Sequence, residues 1–487
     1  MPGFSCLDAE VEDTLSPSGP VPLILDGKQV NLDETFDVIR PDTGKIAHKS
    51  SNAGVAQALS AVRAAATAFD SWSLTPPGER RQVFLNAARI IDQRASELKA
   101  YMKVETGCDE AWANFNVHAA KGHVLDCAGR IAAVEGSIPT LDDANVGALI
   151  VKEPYGVILA MAPWNAPYAL GFRAVIWAIA AGNTVVLKGS ELSPRCYWAV
   201  CSVLEEAGLP SDVLNYITCS PANAPSVTRA IIDSPEVKKI NFTGSTAVGR
   251  IIAQMAASNL KPILLELGGK APAIVCEDAD LDVAAKECVL GAFLHSGQIC
   301  MSTERILVQE RVKQEFGERL KEWVTRMFPS SGAAPILITS NAAAKNKSLV
   351  ADAVSKGAEL VCGQATGEAE GTRLRPIIVG KVKPGMEMYE NESFGPTVSL
   401  IAFGTEEEAL RIANDTDYGL SSAIFTRDLR RALRLAKKIE TGAVHINRMT
   451  VQDEAVLPHG GAKASGFGRF NAGLSEWLRT KNITYDL

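Results

Sequence analysis

The sequence predicts an α/β protein made of two strand–helix units in series. Short β-branched or apolar runs alternate with longer Ala-rich stretches of helical periodicity, the pattern of a mostly parallel sheet covered by helices. The alternation begins again after Gly269. The chain has 487 residues, more than one small core organises.

In the first unit the strand-like runs are Ala148–Val151, Gly156–Met161, Thr184–Leu187, Val213–Ile217, Lys239–Phe242 and Pro262–Leu267. Helical periodicity covers Val55–Phe69, Gly78–Lys99, Leu170–Ala181, Cys196–Ala207 and Thr246–Ser258. In the second unit, strands are expected near Ala273–Cys276, Arg305–Val308 and Thr397–Phe403. Helices are expected over Val283–Ser296, Arg311–Met327 and Glu406–Asn414. Residues 363–371, GQATGEAEG, read as an exposed loop, and a Gly-rich loop runs from Pro458 to Gly468.

Composition narrows the function. The chain is 47% hydrophobic and 22% charged with a net charge of -7, which suits a globular protein and offers no basic surface for nucleic acid. The most apolar stretch, Gly156 to Ala181, is interrupted by Pro163, Asn165, Pro167 and Arg173, so no membrane span is expected. Residues 1–20 are acidic and Pro/Ser-containing. They lack the basic and apolar segments of a signal or transit peptide, so a flexible arm and a cytoplasmic location are expected. Ten cysteines without a CxxC pair read as reduced thiols. Six histidines (His48, His118, His123, His295, His445, His459) show no metal-ligand spacing, so no metal is expected.

Five short segments carry candidate chemistry. Cys300, in SGQICMST, follows a helix-like stretch and a Gly-containing turn, where backbone donors can lower a thiol pKa and make a nucleophile. Glu266, in ILLELGGKAP, sits in an apolar run whose desolvation favours a general base. Asn165, in APWNAP, offers an amide donor to a developing oxyanion from a loop fixed by two prolines. FTGSTAVG (Phe242–Gly249) passes from a strand into a helix and presents free N–H groups suited to phosphate, although it is not GxGxxG. Lys188 and Glu191 in LKGSE end a strand where ribose hydroxyls are held in dinucleotide sites, and a carboxylate there disfavours a 2′-phosphate. Taken singly, each also has a structural reading: an inert thiol, a half-exposed strand residue, a turn asparagine, a helix cap and a surface ion pair.

Their order is more specific than any one of them. PWNAP, LKGSE, FTGSTAVG, LELGGK, GQIC and NESFGP, in this sequence, resemble the aldehyde dehydrogenase superfamily from about residue 25 to the C-terminus. Glu266 and Cys300 are 34 residues apart (300 − 266), the separation used in that family. The resemblance implies a Rossmann-like NAD-binding domain, a second α/β catalytic domain and a small β oligomerisation arm. It also implies that Cys300 attacks an aldehyde, that Asn165 and the Cys300 N–H hold the oxyanion, and that Glu266 activates water to hydrolyse a thioester. Positions matching Trp164, Lys188, Glu191, Gly244 and Ser245 would grip NAD rather than NADP. Glu392 would bond the nicotinamide ribose and Phe394 would pack by the ring.

The expected organisation places the flexible arm at 1–20, the NAD-binding domain at 21–128 and 155–266, and the catalytic domain at 267–442. A return to the first domain with the substrate-channel loop covers 443–469, and the oligomerisation arm covers 129–154, as a hairpin, and 470–487 with a strand near Lys481–Asp486. Exposed strand edges are usually covered, so a homodimer or homotetramer is expected.

GQICMSTERI and INRMTVQDEAVLPHGGAKASGFGRF look most like the benzaldehyde, vanillin and salicylaldehyde dehydrogenases. Ala166, Leu170, Arg173, Leu294, Ile299, Met301, Val451 and His459 would then flank the substrate channel, with small Ala166 leaving room for an aromatic or bulky aldehyde. The pathway stays open between aromatic catabolism and natural-product biosynthesis on a larger polyene or polyketide aldehyde. A CoA-acylating relative and a non-catalytic one are the rivals; retained Glu266 argues against the first, and retained Cys300, Glu266 and Asn165 against the second. Two departures stand out: Ala174 replaces a frequent Lys nine residues beyond the Asn, and Phe470 occupies a place where some relatives carry a proton-relay Glu.

Overall fold

A computed structural model describes residues 19–364 and 371–487. The arm expected at 1–20 lies outside the described residues except for 19 and 20, as does most of the 363–371 loop. The α/β class is observed. One sheet has eight strands in the order Lys28–Val30, Leu23–Leu25, Leu214–Ile217, Thr184–Lys188, Val157–Met161, Val237–Thr243, Ile263–Glu266, Gly466–Phe467. Its five central strands are parallel. They are buried on both faces, as their near-continuous apolar runs require.

The chain order reverses in this sheet. From Val157–Met161 it steps to Thr184–Lys188 and Leu214–Ile217 on one side, then returns to Val237–Thr243 and Ile263–Glu266 on the other. The crevice between the carboxyl ends of Val157–Met161 and Val237–Thr243 is therefore a switch point, where open α/β sheets bind ligands. The second sheet orders Glu359–Cys362, Ile377–Gly380, Thr397–Phe403, Thr303–Gln309, Ala271–Val275, Ala423–Phe425, His445–Ile446, parallel except for its first pair.

Several elements differ from the sequence expectation. The single helix expected over Gly78–Lys99 is two, Pro77–Gln93 and Ala95–Thr106, broken at Arg94, whose guanidinium is fixed by Glu97 and Glu206. The helix expected over Val283–Ser296 stops at Phe293. In place of a hairpin within 129–154, Val146–Pro154 pairs along its whole length with Leu478–Asp486. The helix Glu110–Arg130 already occupies the start of that segment, and upstream only Ser137 bridges to Ile150. The Gly-rich loop after Pro458 contributes Gly466–Phe467, antiparallel to Leu265–Glu266. Among the described residues no helix is long and apolar enough to cross a membrane.

Candidate active site

A cavity of about 330 Å³ lies between the carboxyl ends of the first sheet and the amino ends of the second. Asn165 and Ser245 reach it from the loops after Val157–Met161 and Val237–Thr243, and Glu266 from the end of its own strand. Cys300 and Glu392 reach it from the loops that precede Thr303–Gln309 and Thr397–Phe403. Gly268 and Gly269 let the two sides meet. A Cβ on Gly268 would lie 2.5 Å from a Glu392 carboxyl oxygen, and one on Gly269 would strike the Cys300 carbonyl.

Cys300 is presented by a strained turn. After Phe293 the chain takes left-handed φ at His295 (48°), Ser296 (57°) and Gly297 (73°). Such a run persists only where its surroundings impose it. Ser296 Oγ donates to Ile336 O (2.8 Å), Gln298 Nε2 to His295 O (3.2 Å) and Ser302 Oγ to Gly297 O (3.1 Å). A side chain at Gly297 would strike the Gly395 carbonyl, so the turn is locked to the loop that carries Glu392. The expectation of a thiol lowered by backbone donors is corrected here. Burial, and then the carboxylate of Glu266, push the Cys300 thiol well above its ordinary value. The sulfur needs a base to take its proton, and Glu266 is the carboxylate that faces it.

Glu266 is 1% exposed, so it does not face bulk water. Its Oε1 lies 3.3 Å from His459 Nε2, and Oε2 has no protein partner. Asn165 is also buried. Its Nδ2 donates to Gln298 O at 2.9 Å, which leaves the amide a second N–H. Trp112 Nε1 donates to the Asn165 carbonyl at 2.8 Å and fixes that backbone.

On the other side, Ser245 caps the helix Thr246–Ser258, its hydroxyl accepting from Val248 N, and the free N–H groups of that first turn suit an anion. Gly244 and Trp164 also line the cavity. Lys188 and Glu191 lie outside its lining, at the carboxyl end of the neighbouring strand and in the turn that follows. They are close enough together for both to act on the buried thiol of Cys219.

Glu392 accepts from Gly269 N at 2.9 Å. Burial, reinforced by Glu304, raises its carboxyl to about 8. The next residues are pinned by Glu304, which accepts from Ser393 N (2.9 Å), Ser393 Oγ (2.8 Å) and Phe394 N (3.1 Å). Lys270 Nζ pairs with Glu304 at 2.6 Å, both side chains buried. This anchor holds Phe394 at φ 49° with its ring edge-on to Trp164 at 6.1 Å.

Of the residues expected along a substrate channel, Leu170 lines the cavity. Ala166, Ile299, Met301 and Val451 are buried in the same apolar cluster, with Leu294 and Cys300 packed against it. Arg173 and His459 are placed differently. Arg173 is 1% exposed; its Nη1 binds Asp453 Oδ2 at 2.7 Å and its guanidinium lies 5.1 Å over the Phe470 ring. A guanidinium this deep in an apolar helix requires such a partner. His459 is turned to Glu266. Sequence reasoning missed Asp453, Lys270, Glu304 and the cavity-lining Lys345, whose Nζ donates to Glu392 O at 2.9 Å. For Asp453 a signal existed: buried Arg173 needs an acid, and the late segment supplies one.

The arrangement joins a thiol, a carboxylate and an amide donor to a helix N-terminus and a second, partly buried carboxyl around one cavity. The profile of the aldehyde dehydrogenase family matches residues 29–483. A salicylaldehyde dehydrogenase of Pseudomonas putida is 42% identical over 461 residues, 93% of this chain and 95% of the relative. A vanillin dehydrogenase of Pseudomonas sp. (strain HR199 / DSM 7063) is 42% identical over 476 residues, 95% of this chain and 98% of the relative. The crystal structure of a salicylaldehyde dehydrogenase from Pseudomonas putida G7 complexed with salicylaldehyde superposes with a TM-score of 0.93 at 40% identity, over 96% of this chain and 98% of that one. A betaine aldehyde dehydrogenase from Staphylococcus aureus in complex with NAD+ superposes with a TM-score of 0.91 at 30% identity, over 97% and 95%.

Proposed function

This chain belongs to the aldehyde dehydrogenase family, and from that premise we propose that it oxidises an aromatic or similarly bulky aldehyde to its carboxylic acid, with NAD as hydride acceptor. The observation that carries the reading is the convergence of Cys300, Glu266 and Asn165 on one cavity. Glu266 takes the Cys300 proton, and the sulfur attacks the aldehyde carbon. The oxyanion that forms is held by the Asn165 amide and the Cys300 backbone N–H. NAD, when bound, supplies the acceptor for the hydride that the carbon must lose. The thioester left on Cys300 is hydrolysed by a water that Glu266 deprotonates.

The residues present fit that cofactor. A switch-point crevice, a helix N-terminus at Gly244–Ser245 and a partly buried carboxyl at Glu392 are the donors and acceptors that a pyrophosphate and a ribose need. Trp164 and Phe394 offer flat surfaces nearby. Lys188 and Glu191, at the carboxyl end of the neighbouring strand, would hold the far ribose, and the carboxylate would favour NAD over NADP. The aromatic preference is supported by the named relatives and by the apolar packing around Leu170 and Ala166. Nine described cysteines are unpaired, in keeping with a reducing, cytoplasmic setting. The two-stranded sheet Val146–Pro154 with Leu478–Asp486 leaves edges that a homodimer or homotetramer would cover. The test is a panel of aromatic, aliphatic and polyenal aldehydes with NAD and with NADP, read as reduced nicotinamide. An aromatic aldehyde with NAD should give the highest kcat/KM, by about tenfold over short aliphatic ones. A higher value for short aliphatic aldehydes overturns the substrate class, and no reduction with any aldehyde overturns the activity.

A further inference from the structure

Behind Glu266 lies a row of four buried ionisable groups brought together from two helices and one loop. His459 Nε2 is 3.3 Å from Glu266 Oε1, and its Nδ1 is 3.9 Å from Asp453 Oδ1. Asp453 Oδ2 accepts from Arg173 Nη1 at 2.7 Å and lies 3.9 Å from His123 Nε2. Arg173 comes from the helix Pro167–Ala180 and His123 from the helix Glu110–Arg130. Asp453 and His459 come from the long loop that returns to the first sheet, and His459 is fixed there by reciprocal backbone hydrogen bonds with Phe470 at 2.8 Å.

The Arg173–Asp453 pair leaves Asp453 Oδ1 buried without a hydrogen-bond partner, and His459 Nδ1 is the ring nitrogen turned toward it. His459 joins this pair to Glu266, with one ring nitrogen toward each carboxylate. Burial alone would raise Asp453; Arg173 above all overcomes it and holds the carboxyl at about 2, so it stays ionised. Burial lowers His123 to about 4, so it is neutral and adds no charge. His445 also feels His459 and is itself lowered by burial. Arg469, beside Phe470, is committed to the carbonyls of Gly461 and Gly468. His459 is thus the group in the row that lies between Glu266 and Asp453.

We infer that His459 is a positioning residue that receives the Glu266 proton before thioester hydrolysis, with Asp453, oriented by Arg173, stabilising the imidazolium. The inference rests on Glu266 as the base. Glu266 holds the Cys300 proton once the sulfur has bonded to the aldehyde carbon, and must lose it before it can act on water. That proton moves to His459 Nε2 and then to solvent, and it is the proton that the overall oxidation releases. Water then gives one proton to Glu266 as its oxygen bonds to the thioester carbon. Collapse breaks the C–S bond, the sulfur takes that proton from Glu266 and returns to the thiol, and the acid leaves with the second proton.

The experiment compares the wild-type enzyme with Glu266→Gln, His459→Gln and Asp453→Asn, using NAD and the best aldehyde of the panel. His459→Gln keeps a donor toward Glu266 but cannot take a proton. It should keep a rapid burst of about one NADH per active site, lower steady-state kcat at least about tenfold with KM little changed, and shift the acid limb of the kcat–pH profile. Asp453→Asn keeps an acceptor for Arg173 and should shift the same limb less, so it serves if His459→Gln does not fold. If Glu266→Gln blocks turnover while the other variants keep wild-type kcat and pH profile, the relay is overturned and Glu266 stands. If Glu266→Gln itself turns over normally, the reading of the base falls instead.

Discussion

Two carboxyls line the same cavity, Glu266 buried and Glu392 partly buried, and are held in opposite ways. Glu266 ends a strand of the first sheet, keeps one oxygen unpartnered and backs onto an imidazole. Glu392 sits in a loop at the amino edge of the second sheet, accepts from Gly269 N and is raised to about 8 by burial and then Glu304. The first lies between the Cys300 thiol and the His459 imidazole. The second has fixed neighbours, in a loop pinned through Glu304 and Lys270. The function proposed above assigns chemistry to the first side and grip to the second.

The largest effect that would break this division is on the chemistry side. Cys300→Ala should lower dehydrogenase kcat by about 10⁴-fold or more, roughly 5 kcal/mol or above, with NAD binding by titration unchanged. Full activity in that variant contradicts a covalent thioester. On the anchor side, Lys270→Met leaves Glu304 buried without its cation and should destabilise the protein by about 3–5 kcal/mol, read by denaturant unfolding. An unchanged midpoint would mean that the Glu304 anchor is dispensable.

Legibility in the sequence followed the range of the forces. Thr246–Ser258 and Thr397–Phe403 were expected with the bounds observed, because local periodicity sets them. The left-handed turn at His295–Gly297 was not, because nothing local forbids the helix from continuing; the Gly395 carbonyl and Ile336 impose it from elsewhere. Candidate residues in ordered motifs, such as Cys300, Glu266 and Glu392, were legible through family spacing and meet in one cavity. Asp453 was legible only as the need of Arg173 for some acid, because the two are 280 residues apart and nothing in the loop marks which acid answers.

Asn165 tests where the two sides meet. Asn165→Ala should cost about 10²–10³-fold in kcat with KM changed far less, as expected for a donor used in the transition state. A KM effect alone would make Asn165 a ground-state contact.

The smallest effect concerns Glu392 in the protein without ligand. Its folded-state pKa is raised, so the folded protein holds an extra proton between the ordinary carboxyl range and about 8, and the stability tied to that proton is lost as pH rises through this window. The Tm of the wild type minus that of Glu392→Gln should therefore fall between about pH 5 and about pH 9. A flat difference would show that Glu392 is already ionised and paired.

The thioester is tested most directly by mass spectrometry of the wild-type enzyme mixed with NAD and an aromatic aldehyde and quenched with acid within the first turnover. The acyl group should be found on the peptide that contains Cys300, in proportion to NADH formed and only when NAD is present. NADH formed with no acyl group on Cys300, or with the group on another cysteine, would contradict the assignment of Cys300.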